Sequence, residues 1–150
     1  MRYFVFDLDG TVIDSRHRYK TLENGDIDLE HWIANAAIRE QVFKDTLLPL
    51  AAEMKRRYYS DYVIICTSRA MTQHDFDYLD AMGLHSDAIL FRPEGVMDGC
   101  ADLKEFMLDE FFDSFGTCIE NETVVMYEDH LGVIDRLRTR GVFCSVEGYK

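Results

Sequence analysis

The chain has 150 residues, of which 47% are hydrophobic, and a formal net charge of −12. This length predicts a single domain, 1–150, with a substantial buried core. The negative charge argues against broad, non-specific nucleic-acid binding, which requires a positive surface. No apolar stretch approaches the roughly 18 residues of a membrane span. The four cysteines are not spaced like zinc ligands, so we expect buried free thiols and a reducing, cytoplasmic setting.

Five apolar segments are predicted to be strands, and helical patterns separate the later ones. In chain order the predicted strands are Tyr3–Asp7, Tyr62–Cys66, Ala88–Phe91, Val124–Tyr127 and Val142–Val146. The predicted helices are Pro49–Tyr58, Gln73–Met82, Ala101–Phe115 and Gly132–Arg140. Strands that alternate with helices indicate an α/β fold, with a central parallel sheet of about five strands and helices on both faces.

The segment 12–44 interrupts this alternation. It is polar at its start, it contains no clear strand, and short helical stretches are predicted around Leu29–Asn35 and Ile38–Phe43. A long excursion directly after the first strand is typically functional, so we expect a flap that serves as a lid or specificity element. No segment is long enough for a large cap domain, which predicts a small or absent cap.

The first predicted strand ends in Asp7-Leu8-Asp9-Gly10-Thr11, with two carboxylates one residue apart. In an open α/β sheet, ligands bind outside the carboxyl ends of the strands, so these acids lie where chemistry is expected. Gly10 lets the backbone turn at once and leaves room for a ligand. The motif arises by chance in on the order of one in a thousand chains of this length. The alternative is a pair of acids that cap a turn.

Three further polar sets follow later strands. Thr67-Ser68-Arg69 ends the second strand, where a hydroxyl and backbone N–H groups can bind an anionic oxygen. Lys104 lies near the start of a later helix. Glu128-Asp129 ends the fourth strand. Together with the acids of the first strand, these two predict an oxygen-rich site for a hard cation such as Mg²⁺.

Taken in order, the four sets resemble the haloacid dehalogenase-like (HAD) phosphohydrolase superfamily. Its pattern is a strand ending in D-x-D-G-T, a strand ending in Thr or Ser, a lysine, and a strand ending in two acids. Within it, the chain is most similar to the phosphatase domain of phage-type polynucleotide kinase-phosphatases, on the basis of Asp14–Arg18, Thr67-Ser68-Arg69 and Arg92-Pro93. Two departures are Ser68, where Gly or Ala is usual, and Glu128, where Asp is more frequent.

The resemblance implies a Rossmann-like fold and a covalent mechanism. Asp7 would be the nucleophile that forms an aspartyl-phosphate. Asp9 would protonate the leaving alcohol and then take a proton from water. For this role we expect nearby negative charge to raise the pKa of Asp9.

The resemblance also implies ligands for the metal and the phosphoryl group. Mg²⁺ would bind the carboxylates of Asp7 and Asp129 and the backbone carbonyl of Asp9. Glu128 would act through a water molecule, or by contacting the direct ligands rather than the metal. Thr67 and Lys104 would hold the phosphoryl oxygens. Further substrate-binding candidates are Thr11, which would also position the first loop, Arg16, Arg18, Ser68, Arg69 and Arg92.

Basic residues are predicted to collect beside the catalytic acids, at the carboxyl edge of the sheet. They are Arg16, Arg18, Lys20, Arg69, Arg92 and Lys104. Such a positive collar favours a nucleotide or a nucleic-acid end as substrate. Equally, these arginines can pair with local acids such as Asp14, Asp98 and Asp102. Tyr19 and the pair His31-Trp32 are candidates for stacking on a base, although packing is the commoner role of such a tryptophan.

A small cap and a positive collar favour a polynucleotide 3′-phosphate as the substrate. The first alternative is a 5′(3′)-nucleotidase that acts on nucleoside monophosphates. The second is a non-enzymatic, receiver-like phospho-acceptor domain, which also uses an acid cluster, a threonine and a lysine. The D-x-D-G-T spacing disfavours that domain. No obligate protein partner is implied.

Overall fold

The secondary structure follows the predicted alternation in the computed structural model, which describes residues 1–18, 20–36 and 38–145. The strands are β1 (Arg2–Phe6), β2 (Ile13–Asp14), β3 (Thr46–Leu47), β4 (Tyr62–Cys66), β5 (Ala88–Leu90), β6 (Thr123–Tyr127) and β7 (Phe143–Ser145). The helices are α1 (Leu29–Ala36), α2 (Arg39–Val42), α3 (Leu50–Arg57), α4 (Gln73–Ala81), α5 (Cys100–Ser114) and α6 (Leu131–Arg138), with a 3₁₀ turn at Ile119–Asn121. Tyr19 and Val146 lie outside the described residues.

The five predicted strands form one parallel sheet in the order β5-β4-β1-β6-β7. From β1 the chain moves to β4 and β5 on one side, then crosses to β6 and β7 on the other. The carboxyl ends of β1, β4 and β6, which carry three of the four predicted motifs, are therefore neighbours. A reversal of strand order of this kind opens a crevice at the carboxyl edge of the sheet.

Helices cover both faces of the sheet, as the sequence predicts, with two on each face. Val5 and Met126 face a core formed with α5 and α6, whereas Phe4 and Phe6 face a core formed with α3 and α4. Successive residues of β1 thus enter opposite cores, because side chains alternate along a strand. The fully apolar run before Asp7 is explained by burial on both faces.

The segment after β1 contains a strand pair that the sequence does not predict. Ile13 pairs antiparallel with Leu47, and Asp14 with Thr46. Strands of two residues are too short to produce a periodic pattern. Between these strands the chain forms a loop, residues 20–28, followed by the two predicted helical pieces, α1 and α2. The loop is closed by hydrogen bonds from the N–H of Asp28 to the carbonyl of Lys20, and from the N–H of Leu22 to the carbonyl of Asp26, both 2.7 Å.

Among the described residues, no helix combines the length and apolar character that crossing a membrane requires.

Candidate active site

Asp7 lies directly after β1 and lines a cavity of about 400 Å³. Its Oδ1 accepts a hydrogen bond from Lys104 Nζ at 2.7 Å, and its Oδ2 accepts one from the Thr11 hydroxyl at 3.0 Å. Burial, with repulsion from Glu128, raises the pKa of Asp7 to about 7 against the opposing effect of Lys104. Thr11 is fully buried and holds the Asp7 carboxylate in place.

Lys104 projects from the second turn of α5 and connects the ends of β1 and β6. Its ammonium donates to Glu128 at 2.5 Å as well as to Asp7. The other oxygen of Glu128 accepts the backbone N–H groups of Asp129 at 3.1 Å and His130 at 3.0 Å. Burial lowers the pKa of Lys104, but Asp7 and Glu128 outweigh it and raise that pKa well above its ordinary value. The ammonium is therefore charged at neutral pH.

Asp7, Glu128 and Asp129 form a group of oxygen ligands, with their ligand atoms within 4.8 Å of one another. Desolvation and the neighbouring Asp7 raise the pKa of Asp129 to about 7. One ammonium faces these three carboxylates, so the group favours uptake of a proton or a cation. Clustered carboxylate oxygens suit a hard divalent ion, and Asp129 is exposed to receive one. The donor set therefore fits Mg²⁺.

The Asp9 side chain is held by a cation rather than placed among acids. Arg69 donates to both of its oxygens, at 2.7 and 3.0 Å, and the Ser15 hydroxyl donates to Oδ1. Burial alone would raise the pKa of Asp9, but Arg69 and Ser15 outweigh it, and the pKa is lowered. The expectation of a raised pKa is wrong for the protein without substrate, because the dominant neighbouring charge is positive.

The two hydroxyl residues after β4 occupy different positions. Thr67 is fully buried, and its hydroxyl oxygen accepts the backbone N–H of Arg69 at 3.0 Å. Ser68 lines the cavity, whereas Thr67 is not among the described residues that do so. Both follow the carboxyl end of β4, which lies next to the end of β1 that carries Asp7.

The predicted positive collar is not formed on the cavity wall. Arg18 and Arg69 are each 1% exposed. Arg18 donates to both oxygens of Asp45, at 2.8 and 2.7 Å, and Arg69 donates to Asp45 at 3.1 Å and Asp75 at 2.8 Å. A buried guanidinium requires such partners to offset its desolvation. These two arginines are sealed beneath the cavity and cannot attract a substrate from solution.

The remaining predicted arginines are also engaged. Arg92 is 5% exposed and donates to the carbonyl oxygens of Ser68, Val96 and Asp98. Exposed Arg16 pairs with Asp14 at 2.6 Å. Pairing with Asp14 was one of the alternatives, whereas Asp102 pairs with Arg136 instead. Among the described residues that line the cavity, Lys104 is the only lysine or arginine.

Two buried acids of this network, Asp45 and Asp75, are absent from the sequence-based site. Asp75 is the third residue of α4 and forms a capping box with Thr72. That capping pattern is visible in the sequence but indicates a helix start rather than a charge partner. Nothing in the local sequence marks Asp45, because its role arises only from contacts with distant arginines.

Loop 20–28 forms part of the cavity wall, with the lining residues Thr21, Glu23, Asn24, Gly25 and Ile27.

Asp26 connects this loop to the N-terminal ends of α5 and α6. Its carboxylate lies 3.0 Å from His130 Nε2 and accepts the backbone N–H of Cys100, the first residue of α5, at 3.3 Å. A Cβ atom on Gly99 would lie 2.8 Å from Asp26 Oδ2, and one on Gly25 would lie 3.2 Å from His130 Nε2. Close packing thus explains both glycines.

Asp26, Cys100 and His130 also offer ligand atoms within 4.8 Å of one another. However, His130 Nδ1 accepts the backbone N–H of Val133 at 3.3 Å. This places the ring proton on Nε2, where it is donated to Asp26. The hydrogen-bonded arrangement accounts for the cluster without a metal.

Comparison with solved structures defines the class of protein. The fold matches a haloacid dehalogenase-like hydrolase from Streptococcus pneumoniae with a TM-score of 0.65 at 13% identity, over 95% of this chain and 82% of that one. A chain of the Pnkp1/Rnl/Hen1 RNA repair complex matches with a TM-score of 0.67 at 18% identity, over 99% of this chain and 42% of that one. A HAD-superfamily hydrolase from Geobacter sulfurreducens matches at 0.63 and 15% identity, over 96% and 88%. The chain has the HAD-like fold, as predicted.

A match to a family model assigns the protein to a narrower group than the HAD-like fold does. The family model described as Bacteriophage T5 5'-deoxynucleotidase matches residues 1–93, more than half of the chain, and the protein belongs to that family. The 5'-deoxynucleotidase of Escherichia phage T5 is 28% identical over 157 residues. The match covers 93% of this chain but only 64% of the length of that relative. The residues matched by the family model include Asp7, Asp9 and Arg69 and end before Lys104.

Proposed function

We propose that this protein is a Mg²⁺-dependent phosphatase that removes the 5′-phosphate of deoxynucleoside monophosphates. The observation that carries the proposal is the pairing of Asp7 with Lys104 at 2.7 Å in a cavity that loop 20–28 helps to line. The cavity volume, about 400 Å³, falls in the range of roughly 300–1,000 Å³ typical of small-molecule sites. Membership of the deoxynucleotidase family supports a nucleotide as the substrate.

The chemistry follows from the roles of two acids. An Asp7 oxygen attacks phosphorus, the bond from phosphorus to the nucleoside oxygen breaks, and that oxygen takes a proton from Asp9. Water then attacks the aspartyl-phosphate, Asp9 takes its proton, and inorganic phosphate leaves Asp7. The ion pair with Arg69 keeps Asp9 ionised and ready to act as a base. A phosphate dianion beside Asp9 raises its pKa and favours the protonated form required in the first step.

Asp7 and Asp129 are the residues proposed to hold the cation, together with the backbone carbonyl of Asp9. Glu128 is not proposed as a direct ligand, because its oxygens already accept hydrogen bonds from Lys104 and from backbone N–H groups. When bound, Mg²⁺ supplies charge neutralisation for the phosphoryl oxygens.

The remaining phosphoryl contacts are proposed for the ends of β4 and α5. Lys104 offers a charged donor beside Asp7. Ser68 lines the cavity. The Thr67 hydroxyl oxygen accepts the backbone N–H of Arg69, and this contact does not use the hydroxyl proton, which can be donated to a phosphoryl oxygen. Preorganised donors of this kind stabilise the charge of a phosphoryl-transfer transition state.

A polynucleotide 3′-phosphate is the weaker proposal. Its electrostatic support was the positive collar, and the arginines of that collar are paired within the protein. Loop 20–28 also adds a wall to the cavity that holds Asp7, and an enclosed cavity suits a mononucleotide better than a chain end.

The deciding experiment measures phosphate release with Mg²⁺ from deoxynucleoside and ribonucleoside 5′-monophosphates, and from 3′- and 5′-phosphorylated oligonucleotides. Asp7→Asn, checked for folding by circular dichroism, serves as the blank and is expected to be inactive. Preferential turnover of deoxynucleoside monophosphates would support the proposal. Preferential loss of the oligonucleotide 3′-phosphate would overturn it in favour of end repair. A stable phosphoaspartate without turnover would indicate a receiver-like domain.

A further inference from the structure

Trp32, on α1, lies across two buried guanidinium groups. The Cζ atom of Arg18 is 4.2 Å from the centre of the Trp32 ring, and that of Arg69 is 4.9 Å away. All three side chains belong to the largest fully buried ones of the protein. A cation over an aromatic face is attracted more strongly when water is excluded from both groups.

The two guanidiniums belong to one charge network. Arg69 contacts Asp9, Asp45 and Asp75, and Arg18 pairs with Asp45 at 2.7 Å and with Asp75 at 3.6 Å. Two cations and three carboxylates are therefore fixed together, and among these five groups Asp9 is the one that lines the cavity. Carboxylates engage the edges of both guanidiniums, and the ring of Trp32 contacts both as well.

We propose that Trp32 is a positioning residue, which holds Arg69 so that Asp9 is oriented to protonate the leaving oxygen. The inference rests on the proposed function, because only a phosphatase reaction uses that proton. It also assigns a role to α1: docking of this flap helix completes the support of the general acid. The flap is thereby connected to the chemistry by a contact that lies outside the cavity.

Trp32 does not act on the substrate directly. Its side chain is fully buried and is not among the described residues that line the cavity, so the hypothesis of base stacking is wrong. Its indole Nε1 and the Nη1 of Arg18 are buried with no hydrogen-bond partner among the described residues. Trp32 therefore holds the arginines through its ring face rather than through a hydrogen bond.

The test compares two leaving groups. A deoxynucleoside 5′-monophosphate releases an alkoxide that needs a proton, whereas para-nitrophenyl phosphate releases a phenolate that needs little help. We expect Trp32→Leu to lower kcat on the nucleotide by about tenfold or more, and kcat on para-nitrophenyl phosphate by less than about threefold. Trp32→Phe keeps an aromatic face and should restore most of the nucleotide activity.

The control is Phe112→Leu, which removes an equally buried aromatic ring from the core that β1 forms with α5 and α6. This variant should lower Tm without changing the ratio of the two activities. If Trp32→Leu does not fold, Trp32→Met allows the same comparison, since it fills space without an aromatic face.

Equal losses of both activities in the Trp32 variants of an active enzyme would overturn the inference and leave a purely structural role. A wild-type protein that hydrolyses neither substrate would instead overturn the proposed function, and the inference with it.

Discussion

Both carboxylate oxygens of Asp9 are held by the guanidinium of Arg69, with Nη2 2.7 Å from Oδ1 and Nε 3.0 Å from Oδ2. The two residues follow β1 and β4, so the ion pair joins the ends of adjacent strands. The planar fork of arginine matches a carboxylate in a way that the single ammonium of lysine cannot. The orientation of Asp9 thus depends on a residue 60 positions away in the sequence.

Arg69→Lys keeps the charge of the pair but removes the two-point contact. We expect kcat on a deoxynucleoside monophosphate to fall by about tenfold to a hundredfold, because Asp9 loses its orientation. Steady-state kinetics would measure this loss. Arg39→Lys is the matched control, since Arg39 forms a single exposed ion pair with Asp77 and should tolerate the change. Unchanged turnover in Arg69→Lys would contradict the importance of the fork.

Lys104→Met leaves Asp7 and Glu128 buried without their shared cation. Removal of one partner from a buried ion pair costs about 3–5 kcal/mol, and we expect a comparable loss in the free energy of unfolding at pH 8, measured by urea denaturation. Turnover should also be abolished. Lys55→Met makes the same charge change at an exposed site of α3 and should have little effect on either measurement. A fully stable Lys104→Met variant would argue against the buried position of this ammonium.

Stability without Mg²⁺ should fall as pH rises from 5.5 to 8. The pKa of Asp7 and that of Asp129 are raised from 3.8 to about 7. Between those values the folded state binds more protons than the unfolded chain, so the free energy of unfolding decreases with increasing pH. Thermal unfolding in EDTA at both pH values would measure the slope.

Two comparisons isolate the acid pair in that experiment. Asp129→Asn should flatten the dependence, because it removes one titrating group and relieves repulsion at Asp7. Mg²⁺ should raise Tm more at pH 8 than at pH 5.5, since a cation binds the ionised carboxylates. A wild-type slope identical to that of Asp129→Asn would contradict the assigned pair.

The cysteines should differ in reactivity. Burial raises the pKa of the Cys66 thiol to about 12 and that of Cys144 to about 11, whereas Cys118 is exposed. Since the thiolate is the reactive form, iodoacetamide at pH 8 should modify Cys118 first and Cys66 only after denaturation. Peptide mapping by mass spectrometry would identify the sites. Native labelling of Cys66 at the rate of Cys118 would contradict its burial in β4.

Local patterns in the sequence determined the sheet, the helices and the acids at the strand ends. The apolar run before Asp7 and the one before Glu128 each mark a strand buried on both faces, and a parallel sheet brings their carboxyl ends together. Such patterns depend on residues within a few positions of one another. For this reason Asp7 and Glu128 could be placed at one edge without knowledge of any side-chain contact.

Only the tertiary structure decided how the charges are paired. Asp45 contacts Arg18 and Arg69 from 27 and 24 positions away, and Asp26 contacts His130 from 104 positions away. The contacts of Asp45 hold two arginines of the predicted positive collar in a buried network, and Arg69 and Ser15 lower the pKa of Asp9 instead of letting it rise. The sequence shows which charged residues are present. Their interaction energies depend on distance and burial, which are set only when distant segments of the chain come together.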